Sequence, residues 1–394
     1  MQSPTLYGKE DLINFFNRND KLINNGDGFK YSTNDSGYLA WRESYIMMSY
    51  NVMYRATKEV FYLLKLIDHA DAVLNNRNDV QGFVDYRGIS SAGWRSKKYT
   101  STEEETYYYS FIVHSGMITF PMVDFANIVF YDSTLWPMRA NDGRMLIDKA
   151  KEYLHRVEET ILYHDDQWVN GPAENEGHYI YRPDAYFLRH LKFYDPGKNL
   201  PFNQQNALGS VLVVLYKLTG NIVYYDKAYR LANFFKSRLK LFDNNSYVWN
   251  YWVNPKITDY TGHGEDISHA SINIIFAVLA FHNSIVFDMV DMERFANTFT
   301  KNISQSDSSL FDWVSGEYYE GNCKLPKSFP RNNYLCQSGR WLDLAEFDHS
   351  VFTTVMKVYH HQNYFMKGLV GPILGIANLI LWFDRLSSSI LISE

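Results

Sequence analysis

The sequence predicts an all-α protein, an (α/α) toroid of about six or seven helical hairpins with long loops and short β-hairpins between them. Three observations point there. The first is an internal repeat: Met53-Tyr54-Arg55-Ala56-Thr57, with Tyr62, Lys65 and Ala70 beyond it, is echoed by Leu215-Tyr216-Lys217-Leu218-Thr219, with Tyr224, Lys227 and Ala232 beyond it. Each copy reads as a helix that stops at a Thr-containing turn, which includes Gly220 in the second copy, followed by a second amphipathic helix. The second is apolar spacing of helical period at Leu146, Ala150, Tyr153, Val157 and Ile161, and again at Ile267, Ala270, Ile274 and Ala277. The third is that segments 76–110, 164–205 and 305–345 are long, polar and aromatic. An open solenoid has short regular connections, whereas long loops in a compact domain usually carry function. Within the first of them, Gly82-Phe83-Val84-Asp85-Tyr86-Arg87-Gly88 alternates apolar and polar residues and suits part of a short β-hairpin. One domain spanning residues 1–394 is the simplest organisation.

With 46% hydrophobic and 21% charged residues, the chain can bury a large core and lacks the composition of disorder. Its 31 Tyr, 26 Phe and 9 Trp exceed what a helical core requires, and rings with polar edges suit the faces of sugars. The net charge of −6 offers no basic face to nucleic acid, and the densest basic cluster, Arg95-Ser96-Lys97-Lys98, is soon offset by Glu103-Glu104-Glu105. An acidic polysaccharide stays compatible, because a few cations inside one cleft set the local field whatever the total charge. The apolar stretch Gly368 to Trp382 carries Pro372 and Asn378 and falls short of the ~20 residues of a bilayer span, so it predicts a buried helix. Met1 to Asp11 lacks the apolar core of a signal peptide, which suits a cytosolic protein, or a secreted or periplasmic one already processed. Cys323 and Cys336 permit one local disulfide and no disulfide framework. The absence of a Gly-rich phosphate loop, a nucleophile elbow and a Cys-pair zinc motif leaves sugar chemistry or sugar binding, with no cofactor expected.

Gly262-His263-Gly264-Glu265-Asp266-Ile267-Ser268-His269 runs into Ala270-Ser271-Ile272-Asn273 as a glycine-flanked helix start, with Glu265, His269 and Asn273 on one face. A solvated first turn is the alternative, and a Glu and a His four apart with His263 nearby also match metal-ligand spacing, although no firm third ligand is evident. Phe202-Asn203-Gln204-Gln205-Asn206 places more amides at a helix start than a cap needs, so Asn203 is the expected cap and Gln205 and Asn206 are candidate substrate contacts. The loop around Glu174, Glu176 and His178 suits a cleft wall. In Tyr247-Val248-Trp249-Asn250-Tyr251-Trp252 one aromatic face packs while the other, with Trp249, Asn250 and Trp252, is expected to meet sugar. Arg331 and Arg340 offer planar forks for a carboxylate beside Tyr334, while His114 and Glu43 are weaker candidates that suit satisfied structural polar groups.

Together Gly37-Tyr38-Leu39-Ala40-Trp41, Glu43-Ser44-Tyr45, Val113-His114-Ser115-Gly116-Met117, Phe202-Asn203-Gln204-Gln205-Asn206, Trp249-Asn250-Tyr251-Trp252 and Glu265-Asp266-Ile267-Ser268-His269 resemble the (α/α)-toroid polysaccharide lyases of the alginate and glucuronan type. The resemblance spans about residues 37 to 350 and overlaps glucuronyl epimerase-like helical domains. It implies a Tyr and a His for proton transfer, with His269, Glu265, Asn206 and Arg331 matched to these and to uronate-neutralising roles, and Tyr318, Tyr319 and Tyr334 open as the Tyr. β-Elimination would then proceed with His269 or a Tyr as base at C5, Arg331, Asn206 and protonated Glu265 offsetting enolate charge, and Tyr334 as proton donor. Three rival readings remain. A glycoside hydrolase on the same toroid would pair Glu265 or Asp266 with Glu174, Glu346 or Asp348. The others are a uronyl C5-epimerase and a non-catalytic carbohydrate-binding relative.

Overall fold

A computed structural model of the chain describes residues 7–102, 104–190, 195–253, 264–305, 309–316 and 335–391. Helix accounts for 62% of the protein. In chain order the helices are α1 (Lys9–Leu22), α2 (Ser44–Thr57), α3 (Val60–Asn75), the single turn α4 (Asn78–Gln81), α5 (Ile112–Tyr131) and α6 (Leu146–Tyr163). Then come α7 (Phe202–Thr219), α8 (Ile222–Lys236), α9 (Ile267–His282), α10 (Met289–Asn297), α11 (Ser350–His361) and α12 (Val370–Leu391), with a 3-10 run at Leu335–Glu346 before α11. Two compact units divide the chain: the first holds residues 1–26, 52–59 and 238–394, and the second 27–51 and 60–237.

The repeat seen in the sequence is a repeated turn. At the end of α2, Thr57 Oγ1 donates to the Met53 carbonyl at 2.8 Å and accepts from the Glu59 N–H at 3.2 Å. At the end of α7, Thr219 Oγ1 donates to the Leu215 carbonyl at 2.7 Å and accepts from the Asn221 N–H at 3.2 Å. The same hydroxyl thus closes one helix and launches the next. Both turns need a left-handed residue, which is Gly220 (φ +66°) in one and Lys58 (φ +62°) in the other. The Lys58 copy carries the steric cost that glycine avoids.

In the second unit α5 packs against α6 and α7. All but a few of its residues are buried, which explains its lack of a polar face. It is long and apolar enough to cross a membrane by length and composition, yet 83% of its most apolar window is buried inside the protein. The α5–α7 approach turns on Gly116, where an added Cβ would lie 2.6 Å from the backbone of Ala207 and Leu208. In the first unit α12 packs on α1 and on Leu335–Glu346, burying Ile373, Ile376, Ala377 and Ile380, as expected for the apolar stretch from Gly368.

Several local expectations change. Residues 82–88 form no strand, because the Asp85 carboxylate accepts from the Arg87 and Ile89 N–H groups (2.8 and 3.2 Å) and bends the segment into a turn. The short hairpins are instead β1 (Trp168–Asn170) with β2 (Gly177–Tyr179) and β3 (Lys240–Leu241) with β4 (Tyr247–Val248), both antiparallel. The end of the supposed loop 305–345 is the buried run Leu335–Glu346, where Gly339 lets the backbone meet Gly375 and Tyr359. At α7 the cap is Pro201 rather than Asn203, which lies inside the first turn. Cys336 is half-buried, and Cys323 lies outside the described residues, with the disulfide expectation.

The Gly116 contact generates a prediction. Since backbone atoms of α7 cannot move aside as a flexible side chain does, Gly116→Ala is expected to destabilise the protein by about 1–3 kcal/mol. Chemical denaturation of the two proteins checks this.

Candidate functional site

The site grows from the start of α9. Gly264 holds φ +80°, a left-handed conformation that suits glycine. The next residue is strapped on both sides, the Glu265 N–H donating to the Trp249 carbonyl at 2.9 Å and its carbonyl accepting from the Val314 N–H at 3.0 Å. Asp266 then caps the helix, its Oδ1 accepting from the backbone N–H groups of Ser268 (3.0 Å) and His269 (3.1 Å).

These straps send two adjacent carboxyl groups into opposite environments. Glu265 is fully buried, and its Oε2 accepts from Trp249 Nε1 and from Asn273 Nδ2, each at 2.5 Å. Its Oε1 makes no hydrogen bond to any described residue. Burial, reinforced by the negative charge of Asp266, raises the Glu265 pKa well above the ordinary 4.5, and the two donated hydrogen bonds do not offset this. Its surroundings therefore favour the protonated form. Burial also opposes ionisation of Asp266, but the charge and hydrogen bond of His269 and the two backbone N–H groups outweigh it and lower its pKa. His269 Nδ1 donates to Asp266 Oδ2. Burial alone would lower the His269 pKa, and the Asp266 charge and hydrogen bond raise it instead, against an opposing push from Arg340. The His269 side chain keeps 38% of its exposure, so the pair reaches solvent at that end.

The structure thus brings together Glu265, Asp266, His269, Trp249 and Asn273, with the charge of Arg340 felt at His269. The helical face predicted for Glu265, His269 and Asn273 is used differently: Asn273 bonds Glu265, and His269 turns to Asp266. Trp249 is 1% exposed and packs edge-on against Phe295, so it supports Glu265 rather than presenting a face to sugar. Trp252 is buried too, packing edge-on against Tyr251. Half-buried Tyr251, with its ring 5.2 Å from that of His269, is the aromatic beside the ion pair, and Asn250 next to it is also half-buried. Sequence reasoning passed over Tyr251 and gave Asp266 only a secondary place; the Asp two residues before Ser268 was a legible cap signal.

Two hydrolase partners named from the sequence lie at the wrong end. Glu346 pairs with His282 at 3.1 Å, and His282 closes α9, about 24 Å along a 16-residue helix from its start. Asp348 accepts from the Ser350 N–H at 2.9 Å at the start of α11. Neither approaches the spacing of about 5–10 Å that a hydrolase pair requires. Arg331, Tyr334, Tyr318, Tyr319 and His263 lie outside the described residues.

In the second unit the amide of Gln205 is spent on backbone, Oε1 accepting from the Tyr179 N–H at 2.9 Å and Nε2 donating to the Leu200 carbonyl at 2.6 Å. It ties β2 to α7 and is fully buried, a structural placement rather than the predicted substrate contact. Asn206 is buried one residue on. Glu174 is exposed, and its backbone carbonyl accepts from Arg230 at 2.6 Å. Glu43 is a satisfied structural carboxylate, bonded by His69 Nδ1 and the Phe29 N–H at 2.5 Å each. His114 is buried and receives Asn34 Nδ2 at 3.1 Å.

No protein-family profile and no curated sequence matches the chain. Among solved structures, the chain is similar to the alpha-1,6-mannanase GH76A of Salegentibacter sp. HEL1_6, with 10% identity, 96% of this chain and 99% of that one covered, and a TM-score of 0.55. It is also similar to a family 76 glycoside hydrolase from a bovine Bacteroides thetaiotaomicron strain, with 13% identity, 96% and 78% covered, and a TM-score of 0.52. These likenesses show the fold, an (α/α) toroid.

The Glu265 burial has a stability consequence. An acid with a folded pKa above its unfolded value binds its proton more tightly when folded, so stability falls as pH rises above about 4.5, the unfolded value. Glu265→Gln keeps the shape without the titration. Its Tm is expected to exceed that of the wild type at pH 8 and to converge with it near pH 4, as thermal melts across that range will show.

Proposed function

We propose that the chain is a glycoside hydrolase acting on a polysaccharide. One observation carries this reading: Glu265 and Asp266 are neighbours whose surroundings shift their pKa values in opposite directions, up for Glu265 and down for Asp266, the separation that an acid and a base in glycosidic-bond cleavage need. In the proposed roles, Glu265 supplies the proton to the departing glycosidic oxygen. Asp266 takes a proton from the water that attacks the anomeric carbon, and His269 holds Asp266 in its ionised form. Tyr251 lies beside the pair with a ring suited to a sugar face. The solved structures of like fold support hydrolysis over β-elimination, being a mannanase and a glycoside hydrolase. An α-1,6-linked mannan is accordingly the first glycan to try, and polyuronates the second.

The protein is expected to release reducing ends from a glycan of this panel without the ultraviolet absorbance of an unsaturated sugar. Glu265→Gln and Asp266→Asn should each lower turnover about 10²–10⁴-fold. Loss of the His269 charge should let the Asp266 pKa rise, so His269→Ala should move the acid limb of the kcat profile to higher pH. An unsaturated product, or full turnover in both carboxyl variants, would overturn the reading.

A further inference from the structure

The unit that does not contain Glu265 carries a surface recess of its own, between the chain before α2, the end of α3 and the segment after α4. It holds about 160 Å³ of empty space, solvent at its mouth included. Two buried amides fix its frame. Asn34 donates to the Trp94 carbonyl at 3.4 Å and accepts from the Ala40 N–H at 3.3 Å. Asn78 accepts from the Arg95 N–H at 3.0 Å and donates to the hydroxyls of Ser91 and Ser110 at 3.3 and 3.4 Å. Trp94 is anchored in turn, its indole N–H donating to the Val73 carbonyl at 2.9 Å. The Asp35 backbone is held as well, its carbonyl accepting from the Ser96 hydroxyl and the Lys97 N–H, each at 3.0 Å. Walls tied in this way are in place before a ligand arrives, so little ordering opposes binding.

At the mouth the polar side chains are not spent. Those of Thr33 and Asn76 make no hydrogen bond to a described residue. The Asp35 carboxylate approaches Arg95, but its Oδ1 lies 3.8 Å from Nε, beyond the reach of a hydrogen bond. Arg95 is not free to close that gap. Its guanidinium lies over the rings of Phe83 and Tyr108 (4.3 and 3.9 Å), and its Nη1 donates to the Val84 carbonyl at 3.1 Å. The Arg95 Nε is buried and has no hydrogen-bond partner among the described residues. An unmade buried hydrogen bond is costly, and a gap of this length suits one intervening oxygen.

The charges on either side select what carries that oxygen. An anion would be repelled by Asp35 and a cation by Arg95, whereas a hydroxyl accepts from Nε and donates to Oδ1 at once. The Thr33 hydroxyl and the Asn76 amide can each donate and accept, which suits a neighbouring hydroxyl. Adjacent hydroxyls on a ring are what a neutral sugar presents. The recess is smaller than the ~300–1,000 Å³ of a pocket that encloses its ligand, so it takes the edge of a sugar rather than the whole ring.

We propose that Thr33, Asp35, Asn76 and Arg95 form a carbohydrate-binding site that grips the hydroxyl edge of a neutral sugar. This rests on the polysaccharide reading for the glycan that bears the sugar. A hydroxyl bridges Arg95 Nε and the Asp35 carboxylate, and Thr33 and Asn76 bond the hydroxyl beside it.

Titration of the full chain, labelled with nitrogen-15 at arginine, follows the Arg95 Nε–H signal, assigned by its loss in Arg95→Lys. The probes are neutral oligosaccharides of mannose, glucose and xylose, with one of galacturonic acid as the charged control. At least one neutral oligosaccharide is expected to move the signal to saturation, and the galacturonic acid oligosaccharide to bind more weakly or not at all. Asp35→Ala and Asn76→Ala, at side chains that make no described hydrogen bond, should each weaken that binding about tenfold. Glu265→Gln should leave it unchanged. A signal unmoved by every neutral probe, as a recess that holds only water would show, overturns the proposal. Tighter binding of the acidic oligosaccharide, or full affinity in both alanine variants, does so too. Failure of the hydrolase reading appears separately, as absence of glycan cleavage by a wild-type protein whose Arg95 signal still responds.

Discussion

A carboxyl group buried with no cation against it among the described residues is the constraint on which the start of α9 depends. Burial disfavours the ionised form of Glu265 and raises its pKa, while Trp249 and Asn273 satisfy one of its oxygens. Much of the local structure follows from supporting this. Gly264 supplies a left-handed residue, the Trp249 carbonyl and the Val314 N–H hold the Glu265 backbone, and Asp266 is thereby placed to cap the helix and meet His269. The negative charge of Asp266 in turn helps to raise the Glu265 pKa.

The second unit meets the opposite condition with different residues. There burial, with the charge of Lys98, lowers the pKa of His114 to about 3 and so favours its neutral form. Both lie on helical hairpins, and α5 is buried nearly throughout. His114 lies in the first turn of α5, and Glu265 immediately before α9.

Much of the fold was legible because hairpin architecture leaves local marks. Thr57 and Thr219 make matching hydrogen bonds, so the repeat in the sequence recorded a repeated piece of backbone chemistry. The apolar run of α12 was equally plain, whereas α5 was not, since a helix buried on all sides shows no amphipathic period. The hairpin expected at residues 82–88 failed because alternation cannot reveal that Asp85 will bind its own backbone. At the site, the sequence located the right segment and misread its pairings. Helical spacing put Glu265 and His269 together, but Glu265 precedes the helix, and a cap residue such as Asp266 reaches forward to position 269. Burial was the other gap: Trp249, Trp252 and Gln205 have the chemistry of sugar contacts, and only the packing shows that their polar atoms or faces are already engaged.

The account stands or falls on the proton held by Glu265. Its titration can be followed directly by carbon-13 NMR of protein labelled at glutamate carboxyls, with the Glu265 signal assigned by its loss in Glu265→Gln. The predicted result is a carboxyl that remains protonated at pH 7, with a midpoint far above the ordinary 4.5. A Glu265 signal that titrates between about pH 4 and 5, like an exposed glutamate, would contradict the account.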